Sequence, residues 1–239
     1  MELKNRVAII TGATGGIGKA IALAYASAGA RTVLASRNRD KLDKCAEEIR
    51  SKGGLALVVP TDVARESQVT MLFERALQEW GQLDILVNSA GIITTPVPTE
   101  ESLLNVWQSV IDVNVTGTYL CCREALKVMK RRKSGRIINI GSLSATVARP
   151  DSAAYTTSKF AVEGLTRSLA RDGRAHGVAV SIIQPGSTKE DGAATNNGYV
   201  QSPNEVAKLA VLMAALPSHV NLLEAVVLPL LQPSFLGRG

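Results

Sequence analysis

Short uninterrupted runs of Val, Ile, Leu and Ala recur along this chain, each followed by a turn and then by a stretch whose apolar residues return every three or four positions. The runs read as strands at Arg6 to Thr11, Thr32 to Ser36, Ala56 to Pro60, Leu83 to Asn88, Arg136 to Gly141, Val178 to Gln184 and Ala225 to Leu228. Because they are continuous rather than alternating, both faces of each strand are expected to be covered. The periodic stretches between them, beginning with Lys19 to Ala28, read as helices. Strands alternating with helices need right-handed crossovers, which give a Rossmann-type α/β fold: a doubly wound parallel sheet of about seven strands with helices on both faces. In such a sheet ligands bind beyond the carboxyl ends of the strands.

Composition narrows the class. With 46% hydrophobic residues in 239 there is enough apolar surface for a sizeable core, and no Pro/Gly/Ser-rich run, repeat or low-complexity stretch divides the chain, so residues 1–239 are expected to form a single domain. Neither a secretory h-region nor an apolar run long enough to span a bilayer is present, so the expected location is cytoplasmic, with no membrane partner. Cys45, Cys121 and Cys122 are odd in number and lack metal-ligand spacing; they are expected to be free and buried. His176 and His219 are far apart, with no Cys/His pattern beside them, so no metal site is expected. The net charge is +6, densest at Lys127, Lys130, Arg131, Arg132, Lys133 and Arg136, where cations complement the end of a helix before Ser134-Gly135. No stacking aromatics accompany that run, so nucleic acid is not the expected partner; a positive surface suits an anionic cofactor or substrate.

Candidate chemistry sits at the strand ends. After the first strand comes Gly12-Ala13-Thr14-Gly15-Gly16-Ile17-Gly18, with glycines where a backbone must approach a pyrophosphate and where a helix begins with free N–H groups. The second strand ends in Ser36-Arg37-Asn38, with no carboxylate to bind a ribose 2′-hydroxyl; Arg37 can instead make charge-assisted bonds to a 2′-phosphate, which points to NADP(H). Asp62-Val63 after the third strand can meet an adenine edge, or the aspartate can serve as a cap. Asn88-Ser89-Ala90-Gly91 after the fourth combines a polar side chain with small residues suited to passing a ribose.

The last element is Ser142, Tyr155 and Lys159, spaced Ser-x12-Tyr-x3-Lys. On a helix, Tyr155 and Lys159 project from one face, so an ammonium lies beside a phenol and favours its ionised form; Ser142 can hold a carbonyl oxygen. Taken alone, the pair also reads as two surface neighbours with a capping serine.

Together, TGATGGIG, NSAG, Asn114, Ser142, Tyr155-x3-Lys159 and Pro185-Gly186, in this order, resemble the short-chain dehydrogenases/reductases over almost the whole chain. The resemblance implies that Tyr155 is the general acid/base, that Lys159 lowers its pKa and binds the nicotinamide ribose, that Ser142 polarises the substrate carbonyl, and that Asn114 holds a water linking Lys159 to solvent. Asn114 also reads as a buried amide satisfying backbone groups. Pro185, Gly186 and a following threonine are implied to meet the nicotinamide, but Thr188 stands two residues past Gly186 where the family usually has four, and Ser187 is the substitute. Residues 187–202, polar and rich in glycine, occupy the position of the family's substrate lid. The ending Val220-Asn221-Leu222-Leu223-Glu224 resembles a smaller subgroup of the family. The family's usual interfaces, the last strand and the helices around residues 104–131 and 153–174, imply a homodimer or homotetramer.

The expected function is therefore NADP(H)-dependent interconversion of a small-molecule ketone or aldehyde and an alcohol. Two alternatives are an NAD-dependent alcohol or polyol dehydrogenase, for which Arg37 would be incidental, and a non-catalytic dinucleotide-binding regulatory protein, for which loss of Tyr155 or Lys159 would be the signature. Ser144, Ile93, Thr94, Arg149, Lys189 and Tyr199 fall near the expected pocket mouth. Arg149 reads either as a partner for a substrate carboxylate or as an exposed loop cation.

Overall fold

A computed structural model describes residues 2–189 and 198–232. Seven parallel strands form one sheet: β1 (Val7–Thr11), β2 (Arg31–Ser36), β3 (Leu55–Pro60), β4 (Ile85–Asn88), β5 (Gly135–Ile140), β6 (Val178–Pro185) and β7 (Glu224–Val227). Their spatial order is β3-β2-β1-β4-β5-β6-β7, so the chain winds outward from β1 in one direction, returns, and winds outward in the other. The reversal between β1 and β4 opens a crevice above their carboxyl ends.

Helices cover both faces. On one side α1 (Gly16–Ser27), α2 (Arg39–Ser51) and α7 (Pro203–Ala215) pack on Ala8, Ile10, Leu34, Ile85 and Val87. On the other, α3 (Glu66–Trp80), α5 (Thr118–Arg132) and α6 (Ala153–Arg174) pack on Val7, Ile9, Val33 and Leu86. Successive residues of β1 thus feed opposite cores, which is why its sequence is apolar from Val7 to Ile10. The edge strands differ: β3 and β7 are only partly buried, and Leu55 is exposed.

Local chemistry adjusts several boundaries. α1 starts inside the glycine turn, at Gly16, rather than at Lys19. β4 begins at Ile85 because the Asp84 carboxylate, not a backbone carbonyl, accepts from Val7 N–H at 2.8 Å. The long helix expected over 104–131 is α4 (Leu104–Ile111) continued by a wide π-turn over Asp112–Gly117 into α5. Cys45, Cys121 and Cys122 are free and buried.

The basic run does not make one surface. Arg136 is buried, and its guanidinium donates to the carbonyls of Leu216, Pro217 and Val220 at 2.6, 2.6 and 3.1 Å, while Arg132 pairs with Asp84 and Lys127 with Glu124. Asn221 joins the same loop to β6, donating to Val180 O and accepting from Ser181 Oγ. Among the described residues, no helix is long and apolar enough to cross a membrane.

Candidate active site

β5 ends at Ile140, and Gly141 carries the chain to Ser142, whose hydroxyl accepts from Ser144 N–H at 3.1 Å and so is fixed at the start of a short 3₁₀ turn. Tyr155 lies in the first turn of α6 and Lys159 one turn later, both almost wholly buried. The Lys159 ammonium donates to Ile140 O at 3.0 Å and stands 5.5 Å from the centre of the Tyr155 ring. Burial depresses its pKa to about 8.

Burial also dominates at Tyr155. It pushes the phenol above its ordinary value, and a hydrogen bond with Ser142 and the charge of Arg149 pull it part of the way back. The direction is opposite to the one a flanking cation alone would give. The Lys159 ammonium donates one N–H to a backbone carbonyl, and removing the phenol from water disfavours its charged form.

Asn114 sits in the π-turn with its amide fully engaged: Oδ1 accepts from Ile92 N–H at 2.8 Å, and Nδ2 donates to Ile92 O at 3.1 Å and Ser158 Oγ at 3.0 Å. Ser158 in turn donates to Tyr155 O at 2.7 Å. The backbone-satisfying reading of Asn114 therefore holds. Asn114 also faces the site: a Cβ placed on Gly91 would lie 3.4 Å from its Oδ1 and 3.9 Å from Lys159 Nζ, so Gly91 leaves open the space between those two groups.

The glycine turn shapes the neighbouring groove. Gly12 has φ +65°, and a Cβ there would meet Ala90 N and Ser89 O at 2.7 Å; one on Gly18 would meet Gly12 O at 2.2 Å. The turn, the β4 loop and α1 can thus pack this closely only without side chains. Thr11 pins the same loop, accepting from the N–H groups of Ser89 and Ala90 at 3.1 and 3.2 Å. The N-terminus of α1 has no side-chain cap and no acid in its first turn, so its free N–H groups face the groove with their partial positive charge.

Three adjoining clefts follow the strand ends. The first, about 190 Å³, is lined by Gly12, Thr14, Gly15, Ser36, Arg37, Asp62, Val63, Ala90 and Gly91 among others. The second, about 340 Å³, runs over Gly15, Gly16, Ile17 and Gly18 to Tyr155, Lys159 and Thr188. The third, about 530 Å³, opens beyond Tyr155 past Ser142, Pro185 and Gly186. Thr14 and Ser36 hydroxyls are 2.8 Å apart across the first cleft, and Arg37 is exposed at its rim with no ion-pair partner among the described residues. A groove of backbone N–H groups and glycines, with a cation at one end, fits a dinucleotide with its pyrophosphate on α1.

Several expected residues are used differently. Asn88 turns away from the groove: its Nδ2 donates to Asn139 Oδ1 at 2.9 Å and to Cys122 Sγ at 3.2 Å beneath the sheet's end. Asn38 caps α2, accepting from Lys41 N–H at 2.9 Å. Asp62 accepts from Ala64 N–H at 3.1 Å, so its carboxylate shapes the loop before α3 as well as lining the first cleft. Thr188 Oγ1 donates to Gly186 O and accepts from Gln201 Nε2, holding the loop after β6. Of the mouth residues, Ile93, Ser144, Arg149 and Lys189 line the third cleft; Thr94 and Tyr199 do not. The expected lid over 187–202 falls largely on residues 190–197, outside the described residues.

Sequence reasoning missed four residues. Thr11, which ends an apolar strand, and Asn139, which interrupts one and donates to Thr166 Oγ1 at 2.8 Å, carried the signal of a polar residue in an apolar run, whereas Ser158 lies among Thr156, Thr157 and Lys159 and carried none. Gln232 had none: it reaches the third cleft from the far end of the chain, its Oε1 accepting from Ser187 N–H at 2.9 Å.

A doubly wound sheet, a glycine-lined dinucleotide groove and a Ser, Tyr and Lys cluster at its end define a nicotinamide-type oxidoreductase site. A family model described as short chain dehydrogenase matches residues 6–198. An uncharacterized oxidoreductase of Staphylococcus aureus (strain MRSA252) is 36% identical over 230 residues, covering 95% of this chain and 98% of the relative. Among solved structures, a metagenomic short-chain oxidoreductase in complex with NADP superposes with TM-score 0.87 at 34% identity, covering 96% of this chain and 99% of that one. A short-chain type dehydrogenase/reductase from Mycobacterium marinum gives TM-score 0.88 at 33% identity, covering 95% of each chain. This chain belongs to the short-chain dehydrogenase/reductase family and is an oxidoreductase of it.

Proposed function

We propose that the protein is an NADP(H)-dependent carbonyl reductase, interconverting a ketone or aldehyde and the corresponding alcohol with Tyr155 as general acid/base. The observation that carries this reading is the position of Tyr155, which lines both the cleft over the α1 glycines and the larger cleft beyond. A proton donor at that junction meets a substrate oxygen just where the bound nicotinamide would deliver or accept hydride.

In the reducing direction, negative charge builds on the carbonyl oxygen. Ser142 donates a hydrogen bond to it and Tyr155 gives up its proton, so both hydroxyls act most strongly on the charge of the transition state. The raised pKa of Tyr155 keeps that proton in place at neutral pH. Lys159, held by Ile140 O, is placed to bind the nicotinamide ribose and to favour the phenolate left behind, and the space beside Gly91 between Asn114 and Lys159 suits a water returning the proton. Arg37, which lines the first cleft and has no ion-pair partner among the described residues, supports a 2′-phosphate ligand, as does the NADP complex of the metagenomic relative. Exposed Leu104, Tyr119 and Phe160 on α4, α5 and α6 support a homodimer or homotetramer.

Two variants test the reading. Tyr155→Phe is expected to cut NADPH-dependent reduction of a carbonyl panel by about 100-fold or more while NADPH still quenches or enhances fluorescence at the wild-type concentration; unchanged turnover would remove Tyr155 from the mechanism. Arg37→Ala is expected to raise the KM for NADPH about ten-fold, or ~1.4 kcal/mol, and to leave that for NADH nearly unchanged. Equal effects on both cofactors would favour the NAD-dependent alternative.

A further inference from the structure

Resting on the oxidoreductase reading, we propose that the third cleft binds its substrate as a carboxylate, so that the protein acts on an oxo acid and hydroxy acid pair, with Arg149, Lys189 and Gln232 holding the acid group. These three reach the cleft from separate parts of the chain: the loop before α6, the end of the β6 loop, and the segment after β7. Among the described residues, no Asp or Glu lines it.

The donor pattern goes beyond charge. Gln232 Oε1 is occupied by Ser187 N–H at 2.9 Å, which fixes the amide so that its NH₂ is the end left free; among the described residues that group has no partner. Arg149 and Lys189 likewise have no carboxylate partner among the described residues, whereas Lys19, Arg39, Arg123, Arg132 and Arg167 all do. Two cations and an amide NH₂ around one opening, with no carboxylate among its described lining residues, suit an anionic ligand.

The remaining wall explains why the anion would be a small organic acid and not a bare phosphate. Ile17, Ile93, Leu143 and Val147 line the same cleft as the donors and Tyr155 and supply an apolar surface suited to a short carbon chain. Arg149 also acts electrostatically on the Tyr155 phenol, which puts its charge within reach of the reacting end of the cleft. The acid group itself undergoes no bond change. In reduction the carbonyl carbon gains hydride from NADPH, the C=O π bond breaks, and the oxygen takes the proton of Tyr155, giving the hydroxy acid and oxidised cofactor.

The test compares 3-oxobutanoate with its methyl ester, with NADPH and NADH, in wild type, Arg149→Met and Gln232→Glu. Gln232→Glu keeps an acceptor for Ser187 N–H but replaces the free NH₂ with a charged oxygen. Wild type is expected to favour the acid over the ester at least ten-fold in kcat/KM, and each variant to lose at least ten-fold more on the acid than on the ester. Calorimetric titration of butanoate and butanamide, with and without NADP, reads the same preference without turnover. Equal handling of acid and ester, or no preference for butanoate over butanamide, overturns the proposal even if neutral ketones are reduced. Tighter binding of butanoate that Gln232→Glu abolishes upholds it, and absence of any carbonyl reduction alongside would count against the carbonyl-reductase reading alone.

Discussion

Lys159 combines a charge with nearly complete burial, and its partner is a single carbonyl at 3.0 Å. Its folded pKa of about 8 lies below the ordinary 10.5. An unfolded chain therefore holds this proton to higher pH than the folded one, so stability rises between pH 8 and about 10.5, and the penalty is complete below pH 8 at on the order of 3 kcal/mol. Lys159→Met removes the charge, so wild-type stability to urea is expected to gain on the variant's by up to roughly that amount from pH 7 to pH 10. A constant difference would mean that the ammonium is not desolvated. The Tyr-x3-Lys spacing showed that these side chains share a face, because a helix has a fixed period. Which of them is desolvated, and by what, depends on Ile140 and the sheet end, and no spacing reports that. Asn88 follows the same rule: its position at a strand end is local, but the rotation of its side chain toward Asn139 and Cys122 is set by packing.

Among the elements, the glycine turn and α1 were readable because their constraint is steric and local. Gly18→Ala would put a methyl 2.2 Å from the backbone oxygen of Gly12, which no rotamer can relieve. We expect it to lower stability by about 3 kcal/mol and to weaken NADPH binding, read by thermal melting and cofactor titration. Gly164→Ala, in α6 with nothing near the added methyl, is the control, expected to be neutral or stabilising by up to about 1 kcal/mol. The π-turn over Asp112–Gly117 left no mark in the apolar periodicity. Its wider winding accompanies the seating of Asn114 against Ile92 and of Gly117 against Val63, where a Cβ would lie 2.7 Å from a Val63 methyl.

At the scale of the molecule, Arg136 ties β5 to the segment leading into β7. In Arg136→Met the carbonyls of Leu216 and Val220 would lose this donor, while Pro217 O keeps the N–H of Val220 at 2.9 Å, and we expect a stability loss of about 2–4 kcal/mol with a lower melting temperature, concentrated at the β6–β7 edge in hydrogen exchange. A loss below about 0.5 kcal/mol would show that water replaces the guanidinium without cost. The order of strands and helices, the parallel sheet and the glycine turn were determined by the sequence itself, because burial on both faces of a strand and the space around a missing Cβ are properties of a few consecutive residues. Tertiary structure decided what meets in the clefts. It turned Asn88 inward, made Arg136 an internal tie, and brought Gln232 beside Ser187 at the third cleft. Those contacts join residues far apart in the chain, and packing of the whole sheet with its helices sets their distances.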